Sequence, residues 1–167
     1  AYAAICFPGL ADYLQRSVTF PCSMVDRIVP ATADMQLEQQ ALALGCIDKA
    51  AVCTEPFMQW IIENNFASDI PDWANVGVDL VADIRPYENI KLRLLNASHS
   101  AIAYLGLLAQ IETVDGVMSD LQLSTFIEAL MREELMPLLQ VPTEFDLLAY
   151  QQRLLHRFST PCLHHRG

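Results

Sequence analysis

Glu88, Lys91, Asn96 and His99 stand close together in the stretch PYENIKLRLLNASH, residues 86–99. Wound as a helix at about 100° per residue, they fall with Leu95 inside an arc of roughly 140°. Those residue types on one face suit a carbonyl or an alcohol. A lysine ammonium taken out of water has its pKa lowered and can trade a proton with an alkoxide near neutral pH. Asparagine and histidine can donate hydrogen bonds to the same oxygen as charge develops on it. Along the axis, Lys91 and His99 are separated by roughly 12 Å. Side chains lean toward the helix N-terminus, so His99 leans toward Lys91, whereas Lys91 must bend back. The plain alternative is a solvated helix face carrying one histidine and an unpaired lysine.

The helix that positions these groups is expected over 86–110. Pro86 suits its first position, and Glu88 sits near the positive end of the macrodipole. Ile90, Leu94, Ala97, Ala101, Leu105 and Leu108 are expected to line the opposite, core-facing side. Gly106 costs about 1 kcal/mol against alanine and commonly permits close helix packing.

Upstream, the pattern predicts a short helix over 10–16 after a Pro8-Gly9 turn and a strand over 23–30. A helix over 32–44 follows, with Thr32 as cap and Gly45 as stop. Further strands are expected over 50–54, 57–63 and 76–82, with a loop over 64–75. Trp60 reads as core, and Gln59 points to the other face. Downstream, helices are predicted over 114–118, 121–139 and 144–158, with Phe126, Leu130, Leu147, Leu148, Leu154 and Leu155 as core stripes. The fold class is mostly α with a small β-sheet (α+β).

Composition narrows the function. The 167 residues are one domain by length and long enough to bury a core. With 53% apolar and 18% charged residues and a mean hydropathy of +0.25, the chain is not a disordered tail. A formal charge of −10 argues against nucleic acid, and no Lys/Arg cluster suggests an anionic membrane. The longest apolar run, 101–111, is too short to span a bilayer, and no signal-peptide pattern is present. Five cysteines without framework spacing read as reduced thiols of a cytoplasmic protein. Cys162, His164 and His165 share the tail, but adjacent histidines without a second ligand pair do not make a metal site.

PYENIKLRLLNASHS resembles the signature helix of the mannitol dehydrogenase family, the metal-independent long-chain polyol and hexuronate dehydrogenases. Lys91, Asn96 and His99 match its Lys, Asn and His. The stretches TFPCSMVDRIVPAT, TEPFMQWIIENNF and AYLGLLAQ match as well, and similarity runs from about Leu10 to the last residues. The resemblance implies an NAD-dependent oxidoreductase (NADP being the other option) that interconverts a sugar alcohol or aldonate with its ketose. Its fold would be a helical C-terminal catalytic domain of the 6-phosphogluconate-dehydrogenase-like type. Residues 1–30 would be a linking segment, 31–84 a helix with short strands and 85–167 helical.

The same resemblance implies roles for single residues. Lys91 would be the general acid and base, and Asn96 and His99 would polarise the reacting oxygen. Glu88 would relay the proton or tune the lysine; a surface glutamate compensating the helix dipole is its alternative. Asp26 would stand beside the active site, although Asp26-Arg27 also reads as a local salt bridge or turn. His165 and Arg166 match a His-Arg pair of the hexuronate branch, and Arg166 could clamp a sugar carboxylate bidentately. On that ground fructuronate/mannonate is expected ahead of fructose/mannitol. Two positions depart from the family: Cys22 and Thr160 stand where asparagine is usual. A degenerate, non-catalytic helical interaction or oligomerisation domain of the same family is the alternative they support, and an ordinary helical binding domain is a third.

No G-x-G pattern occurs among the six glycines, so no dinucleotide fingerprint is seen. Together with a start at Ala1 and an end at HHRG, this leads to the expectation of a fragment. The nucleotide-binding Rossmann-like domain would precede it, and the fragment would be inactive alone.

Overall fold

A computed structural model describes residues 2–29, 32 and 34–160. Although length suggests one domain, the chain divides into two compact units. One comprises Ala1–Asp26 and Gln59–Arg85, the other Arg27–Met58 and Pro86–Gly167. Each takes two separate stretches of chain.

In the first unit, helices α1 (Tyr2–Cys6) and α2 (Pro8–Ser17) precede a three-stranded sheet. Pro8 opens α2, where its missing N–H costs nothing. Strand β1 (Ser23–Asp26) pairs antiparallel with β2 (Gln59–Glu63), with Met24 opposite Ile61 and Asp26 opposite Gln59. β2 then runs parallel to β3 (Val78–Val81), Trp60 facing Val78. A parallel neighbour needs a crossover. Residues 64–77 supply it, ending in a 3-10 turn (Trp73–Val76) that Gly77 closes at φ 87°, a conformation that favours glycine. Met24, Ile61, Ile62, Val78 and Ile84 are buried. Trp60 corrects the core expectation. It is 37% exposed and stacks on Trp73 at 6.5 Å, whose other contact is the edge of Phe66. Its indole N–H donates to the Ser23 hydroxyl at 3.2 Å.

The second unit is helical. α3 (Asp34–Leu44) stops at Gly45, which takes a positive φ of 71° as expected of a C-cap glycine. The strand expected over 50–54 does not form. The Asp48 carboxylate captures the Ala50 N–H, and the Cys53 N–H turns to the Thr32 hydroxyl, so these donors leave the ladder a strand would need.

The long expected helix is present but not uniform. α4 (Arg85–Ile90) passes into a π-helical segment, Lys91–Asn96, and then into α5 (Ala97–Ala109). α6 (Val114–Ser119) and α7 (Leu121–Ala129) come next, capped by the side-chain oxygens of Thr113 and Asp120. A second π segment, Leu130–Leu135, touches the first. Pro137 lies in the short 3-10 turn that ends this stretch. α8 (Leu147–Phe158) starts three residues later than expected because Asp146, accepting from the Ala149 N–H, is its cap.

The core of this unit joins Ile90, Leu94 and Ile102 to Val114, Val117, Ile127, Met131, Tyr150, Leu154 and Phe158. Phe126 and Leu148, expected in core stripes, are exposed. The stripes run instead through Ile127 and Met131, and through Tyr150, Leu154 and Phe158. Gly106 lets α5 close against the turn into α6: an alanine Cβ there would stand 2.8 Å from the Ile111 carbonyl oxygen and 2.9 Å from Val117 Cγ2. Among the described residues no helix is long and apolar enough to cross a membrane.

Candidate active site

The π segment decides where the site residues point. At its end the Ala97 N–H donates to the Leu92 carbonyl, five residues back instead of four. A π turn holds about 4.4 residues, or roughly 82° per residue. Five such steps bring Asn96 to within about 50° of Lys91, where a regular α-helix would leave it about 140° away. Three α steps more set His99 almost in line with Lys91, and Glu88 lies about 60° to the other side. The four polar groups therefore share an arc of about 70°, half of what uniform winding gives.

Burial reports the same shift. Ile90 and Leu94 are buried as expected, but beyond the π segment the buried positions are Ser98, Ile102 and Gly106. Of the residues expected there, Ala97 and Leu108 are exposed, and Ala101 and Leu105 only half-buried. One extra residue in the π turn moves the core face on by one position. A helix of constant pitch cannot show this.

The start of the helix is fixed at two points. The exposed Asp83 carboxylate accepts from the Arg85 N–H at 3.0 Å and takes its guanidinium at 2.8–3.1 Å. That guanidinium holds the Asp83 carboxyl below its ordinary pKa, and Asp83 raises that of Arg85. One turn on, buried Tyr87 donates to the Glu144 carboxylate at 3.3 Å and packs its ring edge-on against Phe145.

Glu88, Lys91 and His99 are half-buried and Asn96 is exposed. The imidazole of His99 lies 6.2 Å from the ring of Phe158, inclined at 42°. Burial pushes its pKa below the ordinary histidine value, which favours the neutral ring at pH 7. Beside it is a small cavity walled by Ile28, His99, Val114, Asp115, Arg157, Phe158 and Thr160.

The other expected site residues fall elsewhere. Asp26 is fully buried at the end of β1, in the sheet unit. His165 and Arg166, and with them Cys162 and His164, lie outside the described residues. Cys22 is exposed, and its main chain exchanges bonds with Glu63: its N–H donates to the carboxylate, and its carbonyl accepts from the Glu63 N–H. Thr160 extends the last turn of α8, its hydroxyl donating to the His156 carbonyl, and it reaches the cavity beside His99.

Glu55 and Arg157 escaped the sequence reading. They form a buried ion pair, Arg157 Nη2 to Glu55 Oε1 at 2.6 Å and Nε to Oε2 at 2.9 Å. A signal existed: Arg157 continues the core-facing series Tyr150, Leu154 at helical spacing, where a cation demands a partner.

Among the described residues no group of three or more His, Cys, Asp or Glu is placed to hold a metal ion. Glycines 106 and 116 are crowded by their own neighbours, and Gly9, Gly45 and Gly77 face open space without forming a cradle. The donor set of amine, amide and imidazole matches a hydroxyl or carbonyl group.

Two family descriptions match the chain: "Mannitol dehydrogenase C-terminal domain" over residues 83–166 and "Mannitol dehydrogenase Rossmann domain" over residues 6–75. A D-mannonate oxidoreductase of Escherichia coli (strain K12) is 47% identical over 95% of this chain and 33% of its own length. The structure of Pseudomonas fluorescens mannitol 2-dehydrogenase, a ternary complex with NAD and D-mannitol, superimposes with a TM-score of 0.83 at 37% identity. That of a D-sorbitol dehydrogenase in substrate-free form gives 0.88 at 31% identity. Both cover 99% of this chain and 34% of the other. The chain thus spans about a third of the length of the relatives it matches.

Proposed function

The chain belongs to the mannitol dehydrogenase family, and from that premise we propose that it carries the oxygen-handling half of a cytoplasmic, metal-independent, NAD-dependent polyol or hexuronate dehydrogenase. What supports the proposal is the π segment Lys91–Asn96, since at a π pitch Glu88, Lys91, Asn96 and His99 fall within an arc of about 70°.

In the direction of oxidation, Lys91 takes the hydroxyl proton of the alcohol as the carbon–oxygen double bond forms. Asn96 and His99 hold the oxygen by hydrogen bonds that strengthen with its negative charge. In reduction Lys91 returns the proton. Glu88, one turn before Lys91, passes that proton toward solvent, and the family resemblance assigns Asp26 to substrate contact or proton relay. The dinucleotide, when bound, supplies the hydride chemistry. The groups named here are assigned to the oxygen and its proton. His165 and Arg166 are proposed to hold a sugar carboxylate, which favours fructuronate/mannonate over fructose/mannitol. The 47% identity to a D-mannonate oxidoreductase supports the same order.

The test follows NADH consumption by the full-length protein with D-fructuronate, D-tagaturonate and D-fructose. Turnover of one sugar that disappears in Lys91→Met bears the proposal out and names the substrate. NADH binding without turnover of any of them favours the degenerate, non-catalytic alternative. No NADH binding overturns the proposal.

A further inference from the structure

The buried pair Glu55–Arg157 has no part in the reaction proposed above. Both side chains are 5% exposed, and they meet as a two-pronged fork across 102 residues of sequence. The fork is held on every side. Glu55 Oε1 also accepts the Ile28 N–H at 2.6 Å, and the Glu55 carbonyl accepts from Nε and Nη2 of Arg27 at 3.1 and 3.0 Å. The guanidinium of Arg157 lies 4.2 Å from the centre of the Phe57 ring.

Stability alone is a poor reason for such a pair. Removing two charges from water costs so much that apolar residues of similar volume often serve as well or better. What a satisfied buried fork does supply is a fixed position, because a planar guanidinium gripped at two of its nitrogens has one orientation.

That fixed point adjoins His99. Arg157 and His99 wall the same cavity of about 10 Å³, room for about one water molecule. The next residue, Phe158, is buried and packs its ring against the imidazole. In so tight a space a shift of one wall moves the others.

We infer that Glu55 and Arg157 are a positioning pair for His99: by locking the last turn of α8 they set the orientation of the imidazole. This rests on the proposed role of His99 toward the reacting oxygen. Asp115 from α6 and Arg157 from α8 are the charged side chains on the cavity wall. Loosening the fork therefore changes both the packing and the charge that the ring meets.

The experiment uses the full-length protein with Glu55→Gln, Arg157→Lys and the double variant Glu55→Gln/Arg157→Gln. The double variant removes both charges together and so avoids leaving one stranded if the single variants fail to fold. Side-chain nitrogen NMR reads the tautomer and titration of His99, assigned by loss of its signals in His99→Gln. Circular dichroism checks that each variant folds. The expected result is a changed tautomer balance or a titration midpoint moved by about half a unit or more. Arg157→Lys is expected to fall between wild type and Glu55→Gln, because a lysine keeps the charge without the fork. With a turned-over sugar, kcat is expected to fall about tenfold with KM within about twofold, the pattern of a misaligned group that acts in the transition state. Folded variants whose His99 signals and titration match wild type would overturn the inference. If wild type turns over no sugar, the dehydrogenase reading fails while the NMR arm still decides whether the pair positions the ring.

Discussion

The rings of His99 and Phe158 lie 6.2 Å apart, the one on the polar face of α5 and the other in the core stripe of α8. The imidazole thus belongs to two surroundings at once, a polar helix face on one side and a packed interior on the other. The consequence is a depressed pKa caused by burial. The unfolded chain then binds a proton that the folded chain resists, so stability falls as pH drops below the ordinary histidine value of about 6.5 and stops falling below the lowered folded value. Unfolding midpoints of wild type and His99→Gln, compared between pH 8 and pH 5, are expected to show the larger loss in wild type. Equal losses would mean that His99 is solvated.

Lys91→Met is expected to reduce turnover by a factor of about 10² to 10⁴, the range that a positioned acid–base group contributes. NADH binding should be unaffected, which steady-state kinetics and fluorescence titration of the dinucleotide separate.

The one-position shift of the core face beyond Asn96 can be checked by stability alone. Ala97, exposed, is expected to accept glutamate with a change in unfolding free energy below about 0.5 kcal/mol. Ile102, fully buried, is expected to lose about 2–5 kcal/mol on truncation to alanine. A regular α-helix through this stretch predicts the reverse order, and urea unfolding decides between them.

Gly106→Ala sets two effects against each other. Helix propensity favours alanine by about 1 kcal/mol. The new methyl would meet the Ile111 carbonyl oxygen at 2.8 Å, backbone that cannot rotate away, and such overpacking costs about 1–3 kcal/mol. Net destabilisation is expected, read as a lower thermal midpoint.

The reading from sequence reached the strands around Met24, Ile61 and Val78, because short β-rich runs between turn residues announce themselves. It reached the Lys91 helix through the helical spacing of Ile90 and Leu94 behind Pro86. It placed Ala97 and Leu108 in the core because it assumed one winding angle, and nothing in KLRLLN marks a π turn. Trp60 misled in another way: its size argued for burial, yet Trp73 and Phe66, supplied by the crossover, give it a partly open stack. Glu55 and Arg157 were invisible as a pair since 102 positions separate them and no local rule links residues so distant.

The partition into two units, each assembled from two stretches of chain, bears on how this protein is made and dissected. During synthesis β1 is finished long before its antiparallel partner β2, which is separated from it by residues 27–58. The first strand has to wait for its neighbour while other chain emerges. The same interleaving means that no single cut separates the units. A nick anywhere between Arg27 and Arg85 severs at least one of them from part of itself. Neither unit corresponds to one uninterrupted stretch that could be expressed by itself, and a re-linked gene would be needed to obtain the sheet-bearing unit without the other.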